Sequence, residues 1–174
     1  AWENNCYAIG LSQSFIEPLE ASSIGSVIQQ MFCFLHFLPA YDMDTCNRKV
    51  NNIFDNIFDY VQAHYLTKKE NTPFWKEIKN NLKLSNNLSG YLEIWKNRLP
   101  QKEDIHTSWG LFGALNYIQI LYGLDWFNRD KIKKEYEFYN KEQEVKQFVD
   151  NIKEVDRNKI LTKHNNVITI LKYS

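Results

Sequence analysis

The sequence predicts a mainly α fold with one short strand. Apolar residues recur at helical spacing through most of the chain, whereas residues 5–10 read as a strand that ends at Gly10 and a polar turn. No second segment of the chain reads as a partner for this strand. Because unpaired backbone groups are costly, we expect its sheet to lie in a part of the protein outside these 174 residues.

Two helices are predicted after the polar turn. The first begins at Ser22 or Ser23, either of which can cap it, and runs to Leu38. The second spans residues 42–68, where one face is apolar and the other polar; we interpret the polar face as solvent-exposed. The apolar positions are Val50, Ile53, Phe54, Ile57, Phe58, Val61 and Tyr65, and the polar ones are Asn51, Asn52, Asp55, Asn56, Asp59 and Gln62.

The remaining elements are shorter. Thr72 before Pro73 is typical of a cap and first helical position, and predicts a short helix through Ile78. Another helix is predicted over residues 84–98, weakened by Gly90. The other segments are a polar linker at 101–106, an irregular aromatic-rich stretch at 109–126 and a long or broken surface helix at 128–155.

Length and charge narrow the class of protein. A chain of 174 residues suffices for one domain, so we predict a single mostly helical region over 1–174. Because 21 basic residues balance 21 acidic ones, the charge indicates neither nucleic acid nor an anionic membrane as a partner. The longest apolar run, residues 31–39, is far shorter than the roughly 20 residues of a membrane span.

Cysteine and histidine patterns indicate no metal site. The three cysteines have no metal-ligand spacing and follow no secretory signal, which favours a reducing cytoplasm. The four histidines also lack ligand spacing, so no metal is predicted.

The candidate site is the segment from Asn5 to Ile24, which joins the strand, a turn, two carboxylates and a helix start. The first N–H groups of a helix have no intrahelical acceptor, so Ser22 and Ser23 could bind a halide, a phosphate or an electron-rich flavin edge. Glu20, just before the helix, could accept a proton in a closed cavity. The alternatives are a capped helix start with no ligand and a carboxylate that merely complements the helix dipole.

Two ordered blocks of sequence resemble flavin-dependent halogenases of the tryptophan halogenase family. The first is Gly10 to Ser22, similar to the family's Gly-Leu-Ala-x-Gly-Phe-x-Glu-Pro-Leu-Glu-Ser-Thr. The second comprises Asn47-Arg48, Phe58-Asp59-Tyr60, His64-Tyr65 and Asn71-Thr72-Pro73-Phe74-Trp75-Lys76, in the family's order. The likeness is dense from Asn4 to Lys76, thinner over 109–123 and weak beyond.

This resemblance implies a fold, a reaction and partners. It implies the helical carboxyl-terminal region of an FAD-dependent, monooxygenase-like halogenase of α/β plus α architecture, whose amino-terminal FAD-binding domain and catalytic Lys are absent here. Reduced FAD from a separate flavin reductase, oxygen and halide then give hypohalous acid, which halogenates an indole, pyrrole or phenol, either free or tethered to a carrier. A fragment of this kind is expected to be inactive alone and to show an apolar surface near Tyr7 to Phe15.

The resemblance also assigns residues. It implies that Glu20 is catalytic, that Ser22 and Ser23 bind halide through their backbone, and that the flavin ring lies nearby. Cofactor-binding positions carried over in this way are Gly10, Ser22, Ser23 and Ile24. Trp109 and Phe112 are candidates for the substrate wall, with core packing as the alternative.

Two departures from the family pattern limit this assignment. The usual Glu-Ser-Thr-Gly stands here as Glu20-Ala21-Ser22-Ser23, which leaves the halide open. The Tyr-Tyr pair and the Glu typical of enzymes acting on free tryptophan are not found around residues 106–116, which favours another substrate. A related flavin monooxygenase without halide use, or a non-enzymatic helical interaction domain, remains an alternative.

Overall fold

The structure, a computed structural model, describes residues 1–105, 108–141, 143–144 and 146–147. The chain divides into two compact units, Ala1–Asn128 and a second unit that begins at Arg129. The mainly α prediction is confirmed. In the first unit the elements are β1 (Trp2–Glu3), β2 (Cys6–Tyr7), α1 (Ser22–Phe37), α2 (Met43–His64), α3 (Pro73–Asn81), α4 (Asn86–Trp95) and α5 (Ala114–Gly123).

The two strands form an antiparallel hairpin in which Trp2 pairs with Tyr7. The prediction that the strand has no partner in the chain is therefore wrong. A two-residue strand is too short to show the alternation by which strands are identified, so β1 leaves no signal in the sequence. Asn47 on α2 fixes the hairpin, because its side chain accepts from the Trp2 N–H at 2.7 Å and donates to the Trp2 carbonyl at 2.8 Å.

Helix α2 is the central element of the first unit. Asp42 caps it by accepting from the Thr45 N–H at 3.1 Å, and it ends at His64, four residues before the predicted end. Four of the seven positions of its predicted apolar stripe are buried, whereas Phe54 and Tyr65 are partly buried and Phe58 is 44% exposed. The buried positions are Val50, Ile53, Ile57 and Val61.

The polar face of α2 was predicted to be solvated, and this is wrong for three residues. Asn56, Asp59 and Gln62 are all buried, one turn apart. Each bonds a neighbouring segment: Asn56 bonds the Phe112 backbone, Asp59 accepts from the Ser85 hydroxyl, and Gln62 accepts from the Ser85 N–H. These hydrogen bonds offset the free-energy cost of removing the three polar side chains from water, so the side chains can be buried.

The shorter helices follow the predictions with three differences. Thr72 caps α3 and Ser85 caps α4, so α4 is shorter at both ends than the predicted 84–98. The predicted polar linker contains a 3₁₀ turn at Lys102–Asp104, and the stretch predicted to be irregular contains α5. In the second unit, α6 spans Arg129–Phe138; the rest of the predicted surface helix lies largely outside the described residues.

Buried side chains of the first unit form two clusters. The larger joins α2, α4 and α5 around Trp95 and Tyr117, and the smaller joins the hairpin to α1 and α2 around Trp2, Cys33 and Cys46. The start of α1 lies beside the middle of α2, because Ser22, Ser23 and Ser26 line a small cleft together with Phe54 and Ile57.

Helix α1 has an apolar face that is not covered. Five apolar side chains at spacings of four and three residues, here called the α1 stripe, are each 40–67% exposed. The segment Ser22–Ala40 is long and apolar enough to cross a membrane by length and composition alone, a test that core helices of soluble proteins also pass. The α1 stripe consists of Ile24, Ile28, Met31, Leu35 and Leu38.

Candidate functional site

The start of α1 is preceded by two consecutive residues with left-handed backbone. Glu20 and Ala21 both have φ near 53°. Neither is a glycine, asparagine or aspartate, the residues that adopt this conformation readily, so each costs about 1 kcal/mol or more. Such strain persists only where the surrounding structure enforces it, and it is concentrated at functional sites.

The first N–H groups of α1 are only partly satisfied. Ser22 N–H donates to the Leu19 carbonyl at 2.9 Å, while the N–H groups of Ile24 and Gly25 both donate to the Ala21 carbonyl. Among the residues that the structure describes, Ser23 N–H has no carbonyl acceptor. The helix start therefore keeps one donor, at the positive end of the helix dipole, for an anion or an electron-rich ring edge.

A small cleft lies beside this donor, lined by Ser22, Ser23, Ser26 and Glu17 among others. Its volume is about 10 Å³, close to the least that admits one water molecule. A halide or a flavin edge would therefore lie over the helix start rather than inside the cleft.

Glu20 is exposed, and its negative charge acts on Tyr60. Burial raises the pKa of Tyr60, and the negative charge of Glu20 raises it further. Tyr60 is buried, stacks on Phe112 with ring centroids 3.7 Å apart, and its carbonyl lies 2.9 Å from His64 Nδ1. Glu20 is therefore open to solvent and electrostatically coupled to a residue of this aromatic cluster.

A hydrogen bond between Glu17 and Tyr65 connects the turn before α1 to the end of α2. The Tyr65 hydroxyl donates to the Glu17 carboxylate, whose two oxygens lie 2.9 and 2.8 Å away. Sequence reasoning gave Tyr65 no role, although it belongs to the His64-Tyr65 block of the resemblance.

The other predicted site residues are spread apart. Gly10 lies against the middle of α1: its N–H donates to Gln30 Oε1 at 2.7 Å, eight residues or about 12 Å along the helix from Ser22. With φ of 60°, and with an added Cβ falling 2.7 Å from Val27, Gly10 has a clear packing role. Its assignment to the cofactor stays a prediction.

The two aromatic candidates also differ in position. Phe112 is buried, and Asn56 fixes its backbone through two hydrogen bonds. Trp109 is half-buried and its ring lies 5.7 Å from that of His36, near the end of α1 opposite Glu20. Phe112 therefore stacks on Tyr60, whose pKa the Glu20 charge affects, whereas the Trp109 ring lies beside His36.

A polar cavity of about 170 Å³ lies elsewhere, on the other side of α2. Asp55, Asp59 and Asn87 line it, and burial raises the pKa of Asp59. Within the described residues there is no group of three or more His, Cys, Asp and Glu side chains placed to hold a metal ion.

Comparisons with known proteins agree with the sequence blocks. The family described as tryptophan halogenase matches residues 1–136. Tryptophan 6-halogenase SttH of Streptomyces toxytricini is 32% identical over 129 residues, which cover 71% of this chain and 24% of that protein. Tryptophan 7-halogenase RebH of Lentzea aerocolonigenes is 28% identical over 142 residues, with 71% and 27% covered.

Solved structures give the same result. BrvH, a flavin-dependent halogenase from Brevundimonas sp. BAL3, matches with a TM-score of 0.66 and 25% identity over 73% of this chain and 26% of that one. The tryptophan halogenase from Shewanella frigidimarina NCIMB 400 matches with a TM-score of 0.64 and 30% identity, covering 73% and 25%. The chain spans about a quarter of the length of the curated relatives it matches.

Proposed function

The chain belongs to the tryptophan halogenase family, and from this premise we propose that it is the carboxyl-terminal part of a flavin-dependent halogenase. The match over residues 1–136 carries the proposal. The activity is the transfer of a halogen from halide to an electron-rich aromatic ring. The family uses FAD, whose reduced form together with oxygen would supply the oxidising power that converts halide to hypohalous acid.

The helix start fits one edge of this cofactor and the halide. The unsatisfied Ser23 N–H, beside the buried Ser22, is a donor of the kind that halide binding needs. Ile24 follows on the exposed face of α1, where it would contact a planar ring. In this proposal the Ser23 N–H binds the halide, Ser22, whose own N–H donates to Leu19, holds the turn beside it, and α1 supports the flavin.

Glu20 is the catalytic carboxylate in this proposal. It is exposed, it lies three residues after Glu17, whose carboxylate accepts from Tyr65, and its negative charge acts on Tyr60, which stacks on Phe112. A carboxylate there can accept the proton that the aromatic carbon loses on halogenation. The strained backbone at Glu20 and Ala21 supports a functional role for the turn.

An amino-terminal FAD-binding part of the same polypeptide is proposed to cover the exposed apolar surface. In the segment predicted to be apolar and exposed, Leu11 is 69% and Phe15 60% exposed. The α1 stripe adds five further exposed apolar side chains, and exposed apolar surface of this kind supports the proposal of an interface. A separate flavin reductase and a cytoplasmic location complete the proposal.

The proposed substrate is an indole. The relatives cited above include enzymes named for tryptophan, so free tryptophan is the first substrate to test. The missing Tyr-Tyr pair favours a substituted or tethered indole instead.

The test is an assay of the full-length protein with a flavin reductase, oxygen, bromide or chloride, and either tryptophan or a substituted indole. We expect a halogenated product whose formation depends on halide. A hydroxylated product formed equally without halide would identify a monooxygenase, and no turnover of any aromatic ring would favour an interaction domain. The described chain alone is expected to bind no FAD and to halogenate nothing.

A further inference from the structure

The contact between Tyr65 and Glu17 joins the end of α2 to the turn before α1. Both carboxylate oxygens of Glu17 lie within 2.9 Å of the Tyr65 hydroxyl, so the phenol proton is shared between them. A hydrogen bond to an ionised carboxylate is roughly twice as strong as one between neutral groups. The hydrogen bond that Tyr65 donates to Glu17 raises the pKa of Tyr65, so the phenol stays protonated and remains the donor.

The main chain of Glu17 is bonded to the same turn. Its carbonyl accepts from the Leu19 N–H at 2.8 Å and from the Ser22 hydroxyl at 3.1 Å. Glu17 is thereby tied to α2 through its side chain and to the first residue of α1 through its backbone. The residues between these two attachments include Glu20 and Ala21.

The side chains of Glu20 and Ala21 do not themselves stabilise the left-handed backbone conformation of these two residues. Glu20 and Ala21 are both exposed, so neither side chain is packed in a way that enforces a left-handed conformation. The enforcement must come from the flanking residues. Ile16 and Leu19 pack against the larger core cluster, and the Glu17 bonds supply the polar part.

We propose that Tyr65, acting through Glu17, is a positioning residue that fixes the left-handed turn and so aims the Glu20 carboxylate. The inference rests on the proposed function for the catalytic role of Glu20. The geometry of the turn itself does not depend on that role.

The first experiment measures the turn directly, in the chain of 174 residues, by amide hydrogen exchange. Tyr65→Phe removes only the hydroxyl. We expect the Ser22 amide, which closes the turn on Leu19, to exchange roughly 10-fold faster, the scale set by loss of one hydrogen bond to a charged group. Amides in the middle of α2 should exchange at the wild-type rate. The control variant Tyr122→Phe, at a 69% exposed site, should change the exchange rate of neither the Ser22 amide nor the α2 amides.

The second experiment measures catalysis in the full-length protein. Tyr65→Phe is expected to lower kcat roughly 10-fold while KM for the aromatic substrate and the rate of flavin oxidation stay within about twofold of wild type, because the change acts on the aim of Glu20. Glu17→Ala should behave in the same way. Glu17→Gln keeps an oxygen that accepts the hydrogen bond from the phenol, and should therefore retain most of the kcat that Glu17→Ala loses.

The outcomes separate the two proposals. Unchanged exchange at Ser22 in Tyr65→Phe overturns the positioning role, whatever the activity. If the wild-type protein halogenates and the Tyr65→Phe variant has a normal kcat, the positioning role is overturned as well. If the wild-type full-length protein halogenates nothing, the proposed function fails, and the exchange rates alone decide whether Tyr65 fixes the turn.

Discussion

Asn56 on α2 bonds both backbone groups of Phe112, 56 residues further along the chain. Its Nδ2 donates to the Phe112 carbonyl at 3.0 Å and its Oδ1 accepts from the Phe112 N–H at 2.8 Å, all within the buried core. The Asn56 side-chain amide therefore pairs with the Phe112 backbone as a neighbouring β-strand would, although Phe112 lies in a segment between two helices. It also fixes the Phe112 ring over Tyr60.

Replacing Asn56 should destabilise the fold. Asn56→Ala leaves the buried Phe112 N–H and carbonyl without partners, so we expect the free energy of unfolding to fall by about 2 kcal/mol or more. Urea unfolding followed by tryptophan fluorescence measures it. Asn51→Ala, at an exposed position of the same helix, should change stability by less than about 0.5 kcal/mol; equal losses would contradict the role of Asn56.

The two buried cysteines should be unreactive in the folded chain. Cys33 and Cys46 are fully buried with their sulfurs 4.0 Å apart, and burial, followed by the neighbouring Cys46, raises the pKa of Cys33 to about 12. Iodoacetamide at pH 8 reacts with thiolates, so it should label only the exposed Cys6. Mass spectrometry of labelled peptides checks this, with urea-unfolded protein as the control in which all three are labelled. Rapid labelling of Cys33 under native conditions would show that α1 and α2 separate readily.

Asp104 should stabilise the fold at neutral pH and lose this effect in acid. Burial raises the pKa of Asp104, but hydrogen bonds from Arg98, the Gln101 N–H and the Trp95 indole outweigh burial and lower it to about 2. A carboxyl with a depressed pKa contributes its stabilisation above the unfolded value of about 3.9, and loses it as pH falls towards 2.

The variant Asp104→Asn measures this contribution. The difference in unfolding free energy between wild type and Asp104→Asn should be greatest above pH 5 and should shrink as pH approaches 2. Glu103→Gln, at the exposed neighbouring position, should show no such dependence. A difference that stays constant from pH 7 to pH 2 would mean that the charge of Asp104 contributes nothing.

Glu20→Gln tests the catalytic assignment in the full-length protein. It keeps the side-chain shape and removes the charge, so the halogenation rate should fall by roughly 10²-fold or more, the usual scale for a positioned acid or base. Flavin affinity and flavin oxidation should be nearly unchanged. If Glu20 is only a favourable charge at a helix start, the variant instead loses about 0.3 to 1 kcal/mol of stability and keeps its rate. Glu77→Gln, exposed on α3, is the matched control.

The helices could be predicted from the sequence because their signals are local. The apolar spacing on α2 and the cap at Thr72 lie within a few residues of the element that they define. Helix α1 does begin at Ser22, but the predicted serine cap is wrong, because Ala21 is the N-cap and the Ser22 hydroxyl donates to the Glu17 carbonyl. Burial of Asn56 could not be predicted, because its partner Phe112 is brought to it only by the folded chain. A polar residue on a helix has the same pattern whether it bonds water or a distant backbone.

The candidate site divides in the same way. The position of Glu20 before a helix start follows from its neighbours in sequence, and the structure places it there. The contact of Tyr65 with Glu17 spans 48 residues, and the left-handed backbone at Ala21 occurs at a residue that gives no signal for it. Both depend on how α1 and α2 pack.

The left-handed pair at Glu20 and Ala21 restricts which amino acids the turn accepts. Valine, isoleucine and threonine are the residues least able to adopt a positive φ, so a library randomised at position 21 should lose them first. Glycine or asparagine there should fold more easily, because the backbone strain is removed. Few amino acids are therefore expected to be tolerated at position 21 in a library made at this turn. Position 23 should tolerate more, because the backbone of Ser23 is already helical.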